Sequence, residues 1–262
     1  MHRAPAVAGR FYPADPVTLR AEVTALLAAN PCPGPAPKVL IAPHAGYVYS
    51  GPVAARAYAR LAPLRGRITR VVLLGPSHFV GFRGLAAPTV AAFATPLGPI
   101  AIDREALADV ADLAQVIAHD EPHAREHSLE VHLPFLQVAL GEFALVPFAV
   151  GEARPDAVAA VLERLWGGPE TLIVISTDLS HYHPYDEARA LDADTAARIV
   201  ARSTDLRGEE CCGCRPLNGL LLLAQQRALA VEQLDLRNSG DTAGDRSRVV
   251  GYGAWALGEA GA

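Results

Sequence analysis

The chain has 262 residues, 51% of them hydrophobic and 19% charged, enough to bury a full core in one large domain. Its 23 basic and 28 acidic side chains leave a formal charge of −5, so nucleic-acid binding is not expected without a cationic excess. The longest apolar runs, such as Val71–Gly75 and Leu220–Ala224, fall far short of the roughly 20 residues of a membrane span.

Met1-His2-Arg3-Ala4-Pro5 lacks an apolar segment of the secretory type, so a soluble cytoplasmic protein is the expectation. Among the cations only Lys38 is a lysine; the others are arginine. Four cysteines in a chain this long do not make a disulfide scaffold. Cys32 stands alone in a proline-rich loop, and Cys211, Cys212 and Cys214 crowd too closely for ordinary pairing.

In chain order, Leu19, Val23, Leu26 and Leu27 lie at helical spacing within 16–29, and the run Pro31–Pro37 closes that segment. Residues 1–37 thus form an arm and a helix that should pack on the body. Strand 39–42 follows, then a helix over 52–61, strand 71–74 and shorter strands near 84–85 and 90–94. Helices are predicted over 104–113 and 129–140, a strand over 143–150, a helix over 155–165 and a strand over 172–175. Helices over 185–201 and 216–227 precede closing strands at 228–238 and 249–257. Continuous apolar strands alternating with helices indicate an α/β fold, with a largely parallel central sheet covered on both faces. No repeat or linker divides the chain, so residues 1–262 read as one domain.

Polar residues fall at informative places. Val39–Pro43 runs into His44, Val71–Ser77 into His78, and Leu172–Thr177 into Asp178, with His181 three residues on. The carboxyl edge of a parallel sheet is where ligands bind, and histidine and aspartate are metal ligands and proton carriers. One such histidine alone is ordinarily a hydrogen-bonded loop residue; three strands delivering them together point to a site. Cys211-Cys212-Gly213-Cys214 precedes a helix with Pro216 in its first turn, where the dipole should favour thiolate. Spacing does not choose among the three cysteines.

His123-Ala124-Arg125-Glu126-His127 fits the H-x-x-E-H pattern of inverted zinc peptidases. That chemistry needs both histidines on one helix face, whereas Pro122 and Ser128, read as an N-cap, leave most of the motif in a loop. His127, Glu130 and His132 are instead expected to line the same crevice or to hydrogen-bond its ligands. No phosphate-binding glycine loop and no serine-hydrolase elbow is present.

Several segments in fixed order resemble the MEMO family, whose microbial members are called AmmeMemoRadiSam system protein B. They are Arg3–Pro13, Ala42–Tyr47 with Tyr49–Gly51, Leu74–His78, Glu126–Pro134, Ser176–His181, Cys212-Gly213 with Pro216, Asn238–Asp241 and Val249–Ala254. The resemblance covers nearly the whole chain and implies a fold similar to class III (LigB-type) extradiol dioxygenases. It implies His44, His78 and Cys212 as metal ligands and Asp178 and His181 as catalytic pocket residues, with Tyr47 and Asp241 on the pocket wall. A cysteine in place of the dioxygenase carboxylate departs from the 2-His-1-carboxylate pattern.

The expected function is a metal-dependent oxidoreductase using iron or copper, with zinc a further candidate, acting on a small-molecule or peptide ligand. A non-catalytic binding protein working with radical-SAM and AMMECR-type partners is the alternative. A zinc hydrolase built on His123 and His127 is the third reading.

Overall fold

Residues 1–259 are described by the structure, a computed structural model; the last three residues of the expected 1–262 domain lie outside the described residues. The first half contains β1 (His2–Arg3), α1 (Pro16–Ala29), β2 (Val39–Ala42), α2 (Tyr47–Ala59), β3 (Arg70–Pro76), β4 (Leu85–Ala87), β5 (Ala92–Thr95) and β6 (Gly98–Ala101). Next come α3 (Arg104–Ala108), β7 (Val116–Ala118), α4 (Glu121–Ala124), α5 (Leu133–Leu140), β8 (Ala144–Val150) and α6 (Pro155–Arg164). The chain finishes with β9 (Thr171–Ser176), β10 (His181–His183), α7 (Tyr185–Val200), α8 (Cys214–Gln226), β11 (Ala230–Asn238) and β12 (Val249–Gly258).

The strands whose sequences are continuously apolar take the middle of the main sheet. Its order is β10-β12-β2-β9-β3-β8-β4-β7, with β11 also paired to β12. β2, β9, β3 and β8 are mutually parallel and almost wholly buried, as strands covered on both faces must be. Towards the margins antiparallel pairs enter, β12 against β2, β10 and β11 against β12, and β4 against β8, while the edge strand β7 runs parallel to β4. The sheet is therefore parallel at its centre and mixed at its edges. A small second sheet, β1-β5-β6, carries the start of the chain. Helices α6 and α8 pack together, with α8 against β3 and β9, while α1, α2 and α5 form a second group with α2 on β2 and β12. No described helix is long and apolar enough to cross a membrane.

Several boundaries differ from the sequence reading. α2 starts at Tyr47, not Pro52, because Gly46 caps it and its carbonyl accepts from Tyr49 and Ser50. Pro52 then sits inside the helix, where it simply lacks a donor. α3 stops at Ala108, and the chain tightens into three-residue turns up to Leu113. The predicted helix 129–140 opens with a 3₁₀ turn, Glu130–His132, before α5. Ser128 is not its cap: the hydroxyl donates to the Pro76 carbonyl instead, tying that loop to the end of β3. α8 starts at Cys214, earlier than Pro216, with Gly213 at its cap. A Cβ at Gly213 would meet the Ser176 carbonyl oxygen at 2.4 Å, so only glycine lets this turn approach β9.

The N-terminal arm is fastened by a buried charge network. Arg3 donates from Nε to the His123 carbonyl at 2.6 Å, from Nη1 to Glu130 Oε2 at 2.6 Å, and to the Glu126 carbonyl. Glu130 accepts further from Ala6 N at 2.7 Å, Val7 N at 3.0 Å and the Tyr12 hydroxyl at 2.6 Å. A buried carboxylate with its oxygens filled in this way holds residues 3–12 against the 123–130 loop.

Candidate metal centre

In the sheet order, β9 lies between β2 and β3, and all three point the same way. Their carboxyl ends therefore release His44, Asp178 and His78 side by side. The side chains lean inward over β9: the His44 and His78 ring centroids are 5.2 Å apart. His127 comes from the loop before the Glu130–His132 turn, and its ring lies 5.4 Å from His44 and 4.8 Å from His78. One nitrogen from each of these three rings lies within 4.8 Å of the others, a group that could hold a metal ion.

The tautomer of each core imidazole follows from its partner. Ser176 Oγ is 2.6 Å from the Ser128 carbonyl, which can only accept, and 2.6 Å from His44 Nδ1. The hydroxyl has one proton and gives it to the carbonyl, so His44 donates from Nδ1 and keeps its lone pair on Nε2. His78 Nδ1 faces Glu126 Oε1, again an acceptor, which leaves Nε2 free. Burial, then the neighbouring histidines, holds the His44 imidazole well below its usual range. Burial likewise lowers His127 to about 4, with His78 adding to the effect and Glu126 opposing it. At neutral pH these two rings are uncharged lone-pair donors, as divalent metal ligands must be.

Asp178 accepts the His44 backbone N–H at 2.7 Å and carries Oδ2 to 3.9 Å from His44 Nε2. Burial raises its carboxyl to about 7, against the pull of the His44 and Ala45 N–H groups and His78. It can hold or release a proton near neutrality. His181 stands at the edge of the same hollow, with burial moving its imidazole downward. The hollow has a volume of about 820 Å³, and its walls include Arg10, Phe11, Tyr49, Tyr182, Arg248 and Tyr252.

This arrangement has relatives. A family model described as Memo-like protein matches residues 3–256. The chain belongs to the Memo-like family. A MEMO1 family protein of Methanopyrus kandleri is 38% identical, covering 97% of this chain and 98% of that one. Another from Methanothermobacter thermautotrophicus is 37% identical over 96% and 99%, and one from Sulfolobus acidocaldarius 35% identical over 96% and 98%.

In this Memo-like chain Cys212 is the cysteine at the site. Its Sγ lies 3.4 Å from His44 Nε2, although it stands outside the three-histidine group. The sulfur also accepts the Asp178 N–H at 3.3 Å. Cys211 is fully buried, and Cys214 packs against the core at the start of α8. The dipole expectation is corrected. Burial pushes the Cys212 thiol up and the Asp178 carboxyl adds to it, while the helix begins two residues too late to offset them.

Four expected wall residues are not on the wall, and the reason in each case is a better partner elsewhere. Glu130 is fully buried in the Arg3 network. His132 is turned inward, with Nδ1 2.7 Å from the Tyr58 hydroxyl. Tyr47 is buried and donates to the Val131 carbonyl at 2.8 Å. Asp241 accepts from Asn238 N and the Tyr185 hydroxyl, and its neighbours Ser239 and Ala243 line the hollow instead. The zinc-peptidase reading also fails: α4 ends at Ala124, His123 Nε2 is 2.9 Å from the Ala86 carbonyl, and only His127 joins the cluster.

Sequence reasoning missed Ser176 and Glu126. Ser176 and Glu126 each open a segment of the family resemblance, but Ser176 reads otherwise as an ordinary polar end to an apolar strand and Glu126 as part of a metal-peptidase pattern. Neither signal names the ring it serves. Arg10 and Phe11 were missed as lining because they reach the hollow only through the folded arm.

Proposed function

We propose that this chain is a metal-dependent oxidoreductase-like protein of the cytoplasm, using iron or copper held by His44 and His78 with Cys212 as the third donor. The observation that carries the reading is the pair of imidazoles fixed from behind, His44 by Ser176 and His78 by Glu126, with both free nitrogens turned to one hollow. Ligand bonds of about 2.0–2.3 Å at tetrahedral angles put a nitrogen and a sulfur on one metal about 3.5 Å apart. The 3.4 Å between His44 Nε2 and Cys212 Sγ fits that spacing. His127, whose ring is stacked on that of His78 at 17°, is the other candidate for third donor. A metal in this place would neutralise the buried thiolate and supply one-electron and Lewis-acid chemistry to a small ligand.

The chain's own groups divide the remaining work. Asp178 holds a proton at Oδ2 beside His44 Nε2, and His181 offers a second proton-carrying site at the edge. Phe11 and Tyr252 give the hollow apolar walls that keep water from the buried side. Metal analysis of anaerobically purified protein, with His44→Ala and His78→Ala variants, tests the reading. Wild type should retain iron or copper and both variants should lose it. Equal content in all three would remove the assignment.

A second reading is favoured by the mouth of the hollow. Val48 is 62% exposed, Tyr49 40% and Tyr182 62%, and all three face it. Clustered exposed apolar side chains suit a binding surface. A peptide ligand, or a radical-SAM or AMMECR-type partner, would dock there without turnover. Partner binding that survives loss of His44 and His78 but not of Tyr182 would favour this reading.

A further inference from the structure

Lys38 takes no part in the metal centre. It stands immediately before β2, at the amino end of the parallel strands and so at the opposite edge of the sheet from the histidines. A separate cavity of about 430 Å³ opens there, and Lys38, Arg60, Trp166, Glu232, Leu257 and Glu259 lie on its walls.

The lysine is held in an unusual way. Its Nζ donates to the carbonyl oxygens of Gly168 and Thr171, each at 2.7 Å. Nearby carboxylates are engaged elsewhere: Glu232 with Arg60, Glu163 with Arg227, and Glu170 with Thr171 and the Gly168 N–H. Nζ lies 5.4 Å from the Trp166 ring centroid, and the Arg227 guanidinium lies 4.4 Å from the same ring. Two cations gathered at one aromatic ring disfavour a charge on the weaker of them. Burial pushes the Lys38 amine down to about 8, with Glu170 opposing and Arg227 adding to the shift.

A neutral amine has two N–H bonds and one lone pair. With both hydrogens given to the two carbonyls, the lone pair takes a remaining tetrahedral direction, away from the backbone. Desolvated lysines placed beside another cation serve elsewhere as Schiff-base nucleophiles.

We propose that Lys38 is a nucleophilic amine that condenses with small uncharged aldehydes entering this second cavity. Trp166 and Leu257 offer an apolar wall suited to an uncharged aldehyde, and Arg60 on the same wall is already paired with Glu232. In the step, the Nζ lone pair forms a C–N bond as the carbonyl electron pair moves to oxygen. Both amine hydrogens then leave with that oxygen as water, giving an imine; nothing is oxidised or reduced.

The single lysine makes the test clean. The whole protein is incubated with propanal and sodium cyanoborohydride at neutral pH, the reagent's hydride trapping any imine as a propylamine. Peptide mass spectrometry then follows Lys38, with the Met1 amine as internal standard and N-acetyl-lysine amide in the same tube. Lys38 should be labelled at least about tenfold faster than the free lysine analogue, since a far larger fraction is neutral. Arg227→Gln should slow Lys38 and leave Met1 unchanged. The excess of Lys38 labelling over the analogue should shrink as pH rises past about 8, where the analogue's amine still gains neutral fraction and Lys38 no longer does. Labelling no faster than the analogue, or indifferent to Arg227→Gln, would overturn the proposal.

Discussion

Glu126 grips His78 twice: Oε1 lies 2.8 Å from the imidazole Nδ1 and Oε2 accepts the His78 backbone N–H at 2.6 Å. The same carboxylate accepts the N–H groups of His127 and Ser128, each at 2.9 Å. Burial alone would raise its pKa, but the His78 and Ser128 hydrogen bonds hold it down to about 2. Two loops distant in sequence are thus joined through one charge.

Glu126→Gln should therefore loosen His78 while leaving it in place. The amide has one acceptor where the carboxylate has two, and its NH₂ would face a backbone N–H. Loss of such a supporting group ordinarily lowers metal affinity about 10–100-fold. Competition with a chelator measures this, and unchanged affinity would show that Glu126 does not orient the ring.

Cys212→Ser and His127→Ala separate the two candidates for third donor. Loaded with copper(II), wild type should show an intense visible band from thiolate-to-metal charge transfer. The band should vanish in Cys212→Ser and persist in His127→Ala. Copper bound by wild type without that band, and lost in His127→Ala, would place the metal on the three histidines.

Asp178 predicts a pH effect on the metal-free protein. Its folded pKa, about 7, lies above the ordinary value of 3.8, so between these limits the folded chain binds a proton that the unfolded chain has released. Its stabilising contribution is full below the ordinary value and is lost as pH rises through 7. Relative to Asp178→Asn, wild type should gain several degrees of melting temperature on moving from pH 8 to pH 5. A constant difference would contradict the raised pKa.

Arg3→Met should unfold the arm's anchorage. Both partners of the Arg3–Glu130 pair are almost wholly buried, and removing one partner of a buried pair costs about 3–5 kcal/mol. In a chain of this size that corresponds to a fall in melting temperature of roughly 10 °C, read by calorimetry. A change within a degree or two would show the network to be dispensable.

The central strands were legible because each is an apolar run with no competing pattern, and His44, His78 and Asp178 were legible because each follows such a run directly. The pairing of β12 between β10, β11 and β2 was not, since closing strands carry no sign of direction. Glu130 and His132 looked like site residues because they share a motif with His127. Only the fold shows that the 3₁₀ turn points them inward, to Arg3 and Tyr58. The Cys212 thiol misled for a similar reason: the helix dipole is readable from Pro216, but burial is not. Family membership rests on firmer ground than any of these, because the match runs across residues 3–256.

The most direct test of the metal assignment is anomalous scattering from crystals grown anaerobically, with data collected across the iron, copper and zinc edges. The account predicts one strong peak at the iron or copper edge, about 2.0–2.3 Å from His44 Nε2, His78 Nε2 and Cys212 Sγ. A peak elsewhere, or none near these rings after iron and copper have been supplied, would contradict it.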